Sequence, residues 1–129
     1  MFLPITLAAA GAAAILNVWL SIRIGMVRTS QKISVGDGGC EELVRRMRAQ
    51  ANFIENTPIV LILIGAIEAA RGYNLWLAGV AAIYILGRMA HGVGMDGGKL
   101  AAGRTIGTLI TMLAQVGLAV WAVTIALDM

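Results

Sequence analysis

The chain has 129 residues, 59% of them hydrophobic and 13% charged, with a net charge of +3. Soluble domains carry about a quarter charged residues, so a mean hydropathy of +0.83 excludes that class and points to an integral membrane protein of a single domain, residues 1–129. One cysteine, Cys40, excludes an internal disulfide and a cysteine-rich metal site.

No charge precedes Arg23. A secretory leader needs a basic start and a short apolar core, so the N-terminal stretch reads as a spanning helix over approximately 2–27. The segment "RTSQKISVGDGGCEE" (28–42), with Gly36, Gly38 and Gly39, reads as a flexible loop. Crossing a bilayer core of about 30 Å takes about 20 helical residues. The uncharged stretches 56–67 and 72–87 are shorter than that and reach the required length only by taking in polar residues at one end. Helices 2 and 3 are therefore expected over 43–69 and 74–96, joined by the tight turn "ARGYN" (70–74). The segment "GMDGGKLAAG" (94–103) connects to a fourth helix over 104–127. Of the ten Lys and Arg residues, only Arg71 lies away from the two longer connections. The positive-inside rule then predicts a multi-pass inner (plasma) membrane protein with both connections cytoplasmic and both termini outside. No internal repeat is visible, and the polar groups crowd one end, so a small transporter or channel has little support.

Helix 2 carries an unusual stripe. Arg48, Asn52 and Glu55 fall within an arc of about 60°, with Arg45 on the same side and Gln50 facing nearly opposite. Ionisable groups at the hydrocarbon cost several kcal/mol unless paired, so this stripe is expected to face other helices or a wet cavity. On helix 3, Tyr84, Arg88, His91 and Met95 are spaced by 4, 3 and 4 and share one face. With Arg104 at the start of helix 4, these groups predict a basic, hydrogen-bonding pocket around Glu55. Arginines would take carboxylates there and Glu55 an ammonium group. Arg23, Arg45, Arg46 and Lys99 read more simply as side chains reaching to lipid phosphates. Pro58 removes a hydrogen bond from the carbonyl of Ile54, which either opens the helix below the stripe or is simply tolerated in a membrane helix. "GRTIG" (103–107) fits the GxxxG pattern of close helix packing. No metal-ligand cluster, Walker loop, dinucleotide fingerprint, Ser-His-Asp arrangement or nucleic-acid-binding feature is present.

"RAQANFIENTP" (48–58) resembles the helix 2 signature R-x-Q-x-N-x-x-E-x-x-P of the MAPEG family, the membrane-associated proteins of eicosanoid and glutathione metabolism. "GRMAH" (87–91), followed by Arg104, resembles the corresponding segments of the microsomal prostaglandin E synthase branch, and the similarity extends over nearly the whole chain of what looks like a bacterial-type member. The resemblance implies a four-helix homotrimer with glutathione between neighbouring subunits near the cytoplasmic side. By that resemblance Arg48, Asn52, Glu55, Arg88 and His91 hold glutathione from one subunit, Arg28 and Gln50 reach the neighbour's site, and Ser21 matches a further contact position. Arg104 matches the arginine that activates the thiol. Asn56 and Met95 stand where relatives often have tyrosines, which removes two hydroxyls from the pocket.

The function so implied is a glutathione-dependent transferase or peroxidase. A thiol with a pKa of about 8.5 is only slightly ionised at neutral pH, and the thiolate is the nucleophile. A guanidinium at a helix N-terminus favours that anion. The second substrate would be a hydrophobic small molecule or lipid arriving from the membrane. The alternative is a non-catalytic MAPEG-fold protein that binds glutathione or lipid.

Overall fold

The computed structural model describes residues 1–129, which form four long helices and one short turn of 3-10 helix. Helix α1 spans Pro4–Gln31, α2 Glu41–Arg71, α3 Leu75–Gly94 and α4 Ala102–Leu127. All four are long and apolar enough to cross a membrane. Their up-and-down order puts both termini at one end of the bundle and both longer connections at the other.

At the basic end α1, α2 and α4 extend beyond their expected bounds, whereas α3 stops at Gly94, two residues short of the expected 96. Proline at the first position of α1 suits a helix start, where its missing N–H goes unused. At the other end α1 continues past residue 27 to Gln31, where Lys32 closes it in the left-handed conformation and returns its N–H to the carbonyl of Arg28. Arg28 therefore sits in the last helical turn rather than in a flexible loop. Helix α2 begins at Glu41, with Glu41 and Glu42 in its first turn, where the helix dipole favours acids. It runs without interruption through Pro58 to Arg71, so the proline is tolerated and does not break the helix. Asn74 caps α3 by accepting from the backbone N–H groups of Trp76 (2.8 Å) and Leu77 (3.2 Å).

Two interactions fix the outer end. Glu68, 1% exposed, accepts from the backbone N–H groups of Ile5 (2.9 Å) and Thr6 (2.8 Å) and from the Thr6 hydroxyl (2.7 Å). It satisfies first-turn donors of α1 that no intrahelical carbonyl can reach. Arg71 and Asp128 pair across the ends of α2 and α4 at 3.6 Å. Between these polar contacts lies an apolar core of Val60, Ile64, Ile67, Leu77, Ala81 and Leu118, continued toward the other end by Leu16, Leu20, Ala49 and Phe53.

Helices α3 and α4 meet along a glycine seam. A Cβ placed on Gly103 or Gly107 would overlap the backbone carbonyls of Ala90 and Gly87, and one on Gly94 would overlap the backbone of Arg104. The GxxxG pair of α4 thus lies directly on α3, as its spacing predicts. Helix α3 is the most enclosed of the four and α4 the least. The outward side of α4 is a run of aliphatic residues such as Met112, Leu113, Val116 and Val120.

Two substitutions test this arrangement. Glu68→Ala leaves buried N–H groups of α1 without acceptors and is expected to cost about 1–3 kcal/mol, read as a lower unfolding midpoint in detergent. Gly107→Ala forces the seam apart and is expected to cost a similar 1–3 kcal/mol or so, whereas Gly117→Ala, which has open space beside it, is expected to be silent.

Candidate functional site

Arg88 is the centre of a polar layer between α2, α3 and α4. It is 2% exposed. Its Nη1 donates to the Thr111 hydroxyl at 2.9 Å and its Nη2 to Asn52 Oδ1 at 2.7 Å, with His91 Nδ1 at 3.5 Å. Nε is buried without a partner. A planar guanidinium suits this position because its fork reaches two acceptors on two helices at once. His91 is also buried, with its backbone and Cβ against Gly107. Tyr84, a turn deeper, shares a hydrogen bond with the Thr57 hydroxyl at 2.8 Å. The face Tyr84–Arg88–His91–Met95 is thus directed inward as its spacing predicts, with Met95 packed on the cluster of Leu20 and Phe53.

The stripe on α2 divides. Asn52 turns inward to Arg88, but Arg48 and Glu55 are exposed on the surface of the single chain and have no hydrogen bond or ion pair within it. Within one chain only the middle residue of the stripe meets another helix. No closed pocket forms around Glu55. The stripe lies at the edge of the buried α2 surface: Asn52 is on the side nearer the buried Ala49, Phe53 and Thr57, and Arg48 and Glu55, about 40° and 60° further round the helix, fall outside it. Arg104 sits in the first turn of α4, exposed and likewise unpaired.

A second polar group lies between α1 and α2. Gln50 donates to the Ser21 hydroxyl at 2.6 Å and to Asn17 Oδ1 at 3.3 Å. Arg28 donates to the carbonyl of Gly36 at 2.7 Å, with Met47 Sδ at 3.7 Å. Ser21 and Gln50 are therefore brought together, and both are separated from Arg88 by the body of α2. The structure thus joins Asn52, Arg88 and His91 by hydrogen bonds and, separately, Ser21 and Gln50, while Arg28 is held by the loop that follows it and Arg48, Glu55 and Arg104 are exposed.

Depth makes the exposed charges significant. The twelve residues 56–67 between Glu55 and Glu68 span about 18 Å of helix. A hydrocarbon core of about 30 Å with Glu68 near one surface then places Glu55 roughly 10 Å inside the other. A carboxylate facing acyl chains at that depth costs several kcal/mol, so Glu55 requires a covering polar partner.

Three arginines differ from their expected role as lipid-facing side chains. Arg23 and Arg46 pair with Asp96, and Arg45 pairs with Glu41, while Lys99 stays exposed. The sequence reading also missed Thr111 and the amide pair in which Gln115 donates to Asn56 Oδ1 at 2.7 Å while Asn56 donates to the carbonyl of Asn52 at 2.8 Å. The signal was present: Arg104, Thr108, Thr111 and Gln115 repeat the 4, 3, 4 spacing of helix 3 on one face of α4.

The MAPEG family model matches residues 6–124. Two relatives named "Inner membrane protein YecN", from Escherichia coli strain K12 and from Escherichia coli O6:H1 strain CFT073, are each 30% identical over 80 residues. That match covers 61% of this chain and 60% of each relative, so the chain spans less than two thirds of their length.

Arg88→Lys tests the polar layer. One ammonium cannot bridge Asn52 and Thr111 as a fork does, so the variant is expected to lose about 1–3 kcal/mol of stability in detergent, and Arg88→Met, which removes the buried charge altogether, less than that.

Proposed function

Because this multi-pass membrane protein belongs to the MAPEG family, we propose that it is a glutathione-dependent transferase or peroxidase acting as a homotrimer, each site lying between two copies. The observation that carries this is the set of exposed, unpaired charges Arg48, Glu55 and Arg104 on otherwise apolar helices. A second copy covering that face removes the cost of leaving them against lipid. It also brings the Ser21–Gln50 pair and Arg28 of one chain toward the Arg88 group of the next.

The residues fit glutathione, which carries two carboxylates, an ammonium, two amides and a thiol. Arg48 offers a guanidinium to a carboxylate, and the buried Nε of Arg88 is a donor still lacking an acceptor. Glu55 is an acid suited to the ammonium group, and Asn52 and Gln50 suit the amides. Glutathione supplies a thiol nucleophile when bound. Arg104 has two means of holding the sulfur as an anion, its guanidinium and its place at the N-terminal turn of α4. The second substrate is a hydrophobic electrophile or lipid hydroperoxide reaching the site from the bilayer between copies. The excess of arginine and lysine at the loop end supports a cytoplasmic position for that end, with both termini outside. The relatives' name supports placing the chain in an inner membrane.

A family member that binds glutathione or lipid without turnover is the other reading, favoured by Asn56 and Met95 standing where relatives often carry hydroxyls. Titration of the purified protein with glutathione separates the two. Thiolate absorbance in the ultraviolet is expected on binding, and no binding at millimolar glutathione sinks the proposal. Arg104→Ala is expected to keep glutathione affinity near wild type and to lower turnover by about 10²-fold. Undiminished turnover in that variant removes Arg104 from the mechanism. Sedimentation in detergent is expected to give three chains per particle.

A further inference from the structure

The loop between α3 and α4 contains one acid, Asp96, and it is gripped from two other helices. Arg23 of α1 donates to its carboxylate, and Arg46 of α2 places Nε 3.4 Å from Oδ1. Arg45 donates to the backbone carbonyl of the same residue at 3.2 Å. The arginines are themselves held. Arg23 donates to the carbonyl of Gly92 at 2.8 Å and lies 4.8 Å over the ring of Trp19, and Arg46 donates to the carbonyl of Arg23 at 2.7 Å. The Arg23 and Arg46 side chains are only 12% and 16% exposed, so their charges are poorly screened; Arg46 also pairs with Glu42 at 3.3 Å, whereas Asp96 is the one acid paired with Arg23.

This clasp lies on the path to Arg104. Two residues before Asp96, Gly94 abuts the backbone of Gly103 and Arg104 with no room for a Cβ. After it, turns run in sequence: Gly97 N–H to the carbonyl of Gly94, Ala101 N–H to that of Gly98, and Arg104 N–H to that of Ala101. The Arg104 side chain has no partner within the chain, so its location follows from its backbone alone. Taking the role proposed for Arg104 as its premise, we infer that Asp96 is a positioning residue: by tying the loop to α1 and α2 it fixes where the Arg104 guanidinium stands.

The test uses the full chain in detergent, with Asp96→Asn to remove the charge and Asp96→Glu to restore it. Without glutathione, amide exchange over residues 98–104 is expected to rise on the order of tenfold in Asp96→Asn and to stay near wild type in Asp96→Glu, with residues around Glu68 unaffected. At saturating glutathione, Asp96→Asn is expected to lose several-fold in thiolate absorbance and in kcat while KM for glutathione is held, and Asp96→Glu is expected to recover both. Unchanged exchange overturns the inference, and so does faster exchange with undiminished thiolate absorbance, which makes the clasp structural only. A wild type that shows no thiolate absorbance overturns the glutathione reading instead, and exchange alone then decides whether Asp96 holds the N-terminal turn of α4. If Asp96→Asn does not fold, Arg46→Gln must raise exchange over residues 98–104 above wild type while Glu42→Gln, which removes only the other acid paired with Arg46, does not; a wild-type rate in Arg46→Gln, or an equal rise in Glu42→Gln, overturns the inference.

Discussion

A guanidinium in the middle of a helical bundle needs hydrogen-bond acceptors around it, and Arg88 imposes that condition on three helices through its two terminal nitrogens. It requires an acceptor from α2 and one from α4, and the structure supplies Asn52 and Thr111. Thr111 comes within reach because Gly103 and Gly107 let the backbone of α4 lie on α3. Asn52 comes within reach because α2 is rotated to bury Ala49, Phe53 and Thr57. That rotation in turn leaves Arg48 and Glu55 outside. The unpaired charges at the edge of α2 are thus a geometric consequence of satisfying the one buried inside.

The two ends of the bundle are secured by carboxylates of opposite design. Glu68 spends its oxygens on backbone and hydroxyl donors of α1 and needs no cation. Asp96 works entirely through arginines. Both tie segments far apart in sequence, but the first has no charge partner to lose, whereas the second depends on its cations. The candidate site lies at the second end, so its geometry depends on the device that works through charge.

Much of this was legible in the sequence, for identifiable reasons. Spanning helices follow from long apolar runs, and the inward face of α3 follows from the spacing of Tyr84, Arg88, His91 and Met95. The separation of Gln50 from the Arg48 stripe follows from spacing, because two residues along a helix point to nearly opposite sides, and Gln50 meets Ser21 of α1. Helix ends were less legible: the extra turn of α1 depends on Lys32 adopting a left-handed conformation that glycine usually takes. Glu68 was invisible as a cap because its partners are backbone groups more than sixty residues away. The role of Asp96 is not legible because its partners lie on other helices, and those arginines read as lipid contacts. The division of the α2 stripe needed the rotation of the helix, which depends on what α3 and α4 present to it.

The glycine seam also bears on how this chain can vary. Gly103 and Gly107 have nothing smaller to change into, so every substitution there adds volume against a backbone that cannot retreat. On the opposite side of the same helix, Met112, Leu113 and Val116 face outward and can exchange among aliphatic residues with little effect on packing within the chain. Helix α4 therefore has two tolerances to substitution side by side, tight along one edge and loose along the other, and the tight edge is the one that holds Thr111 against Arg88.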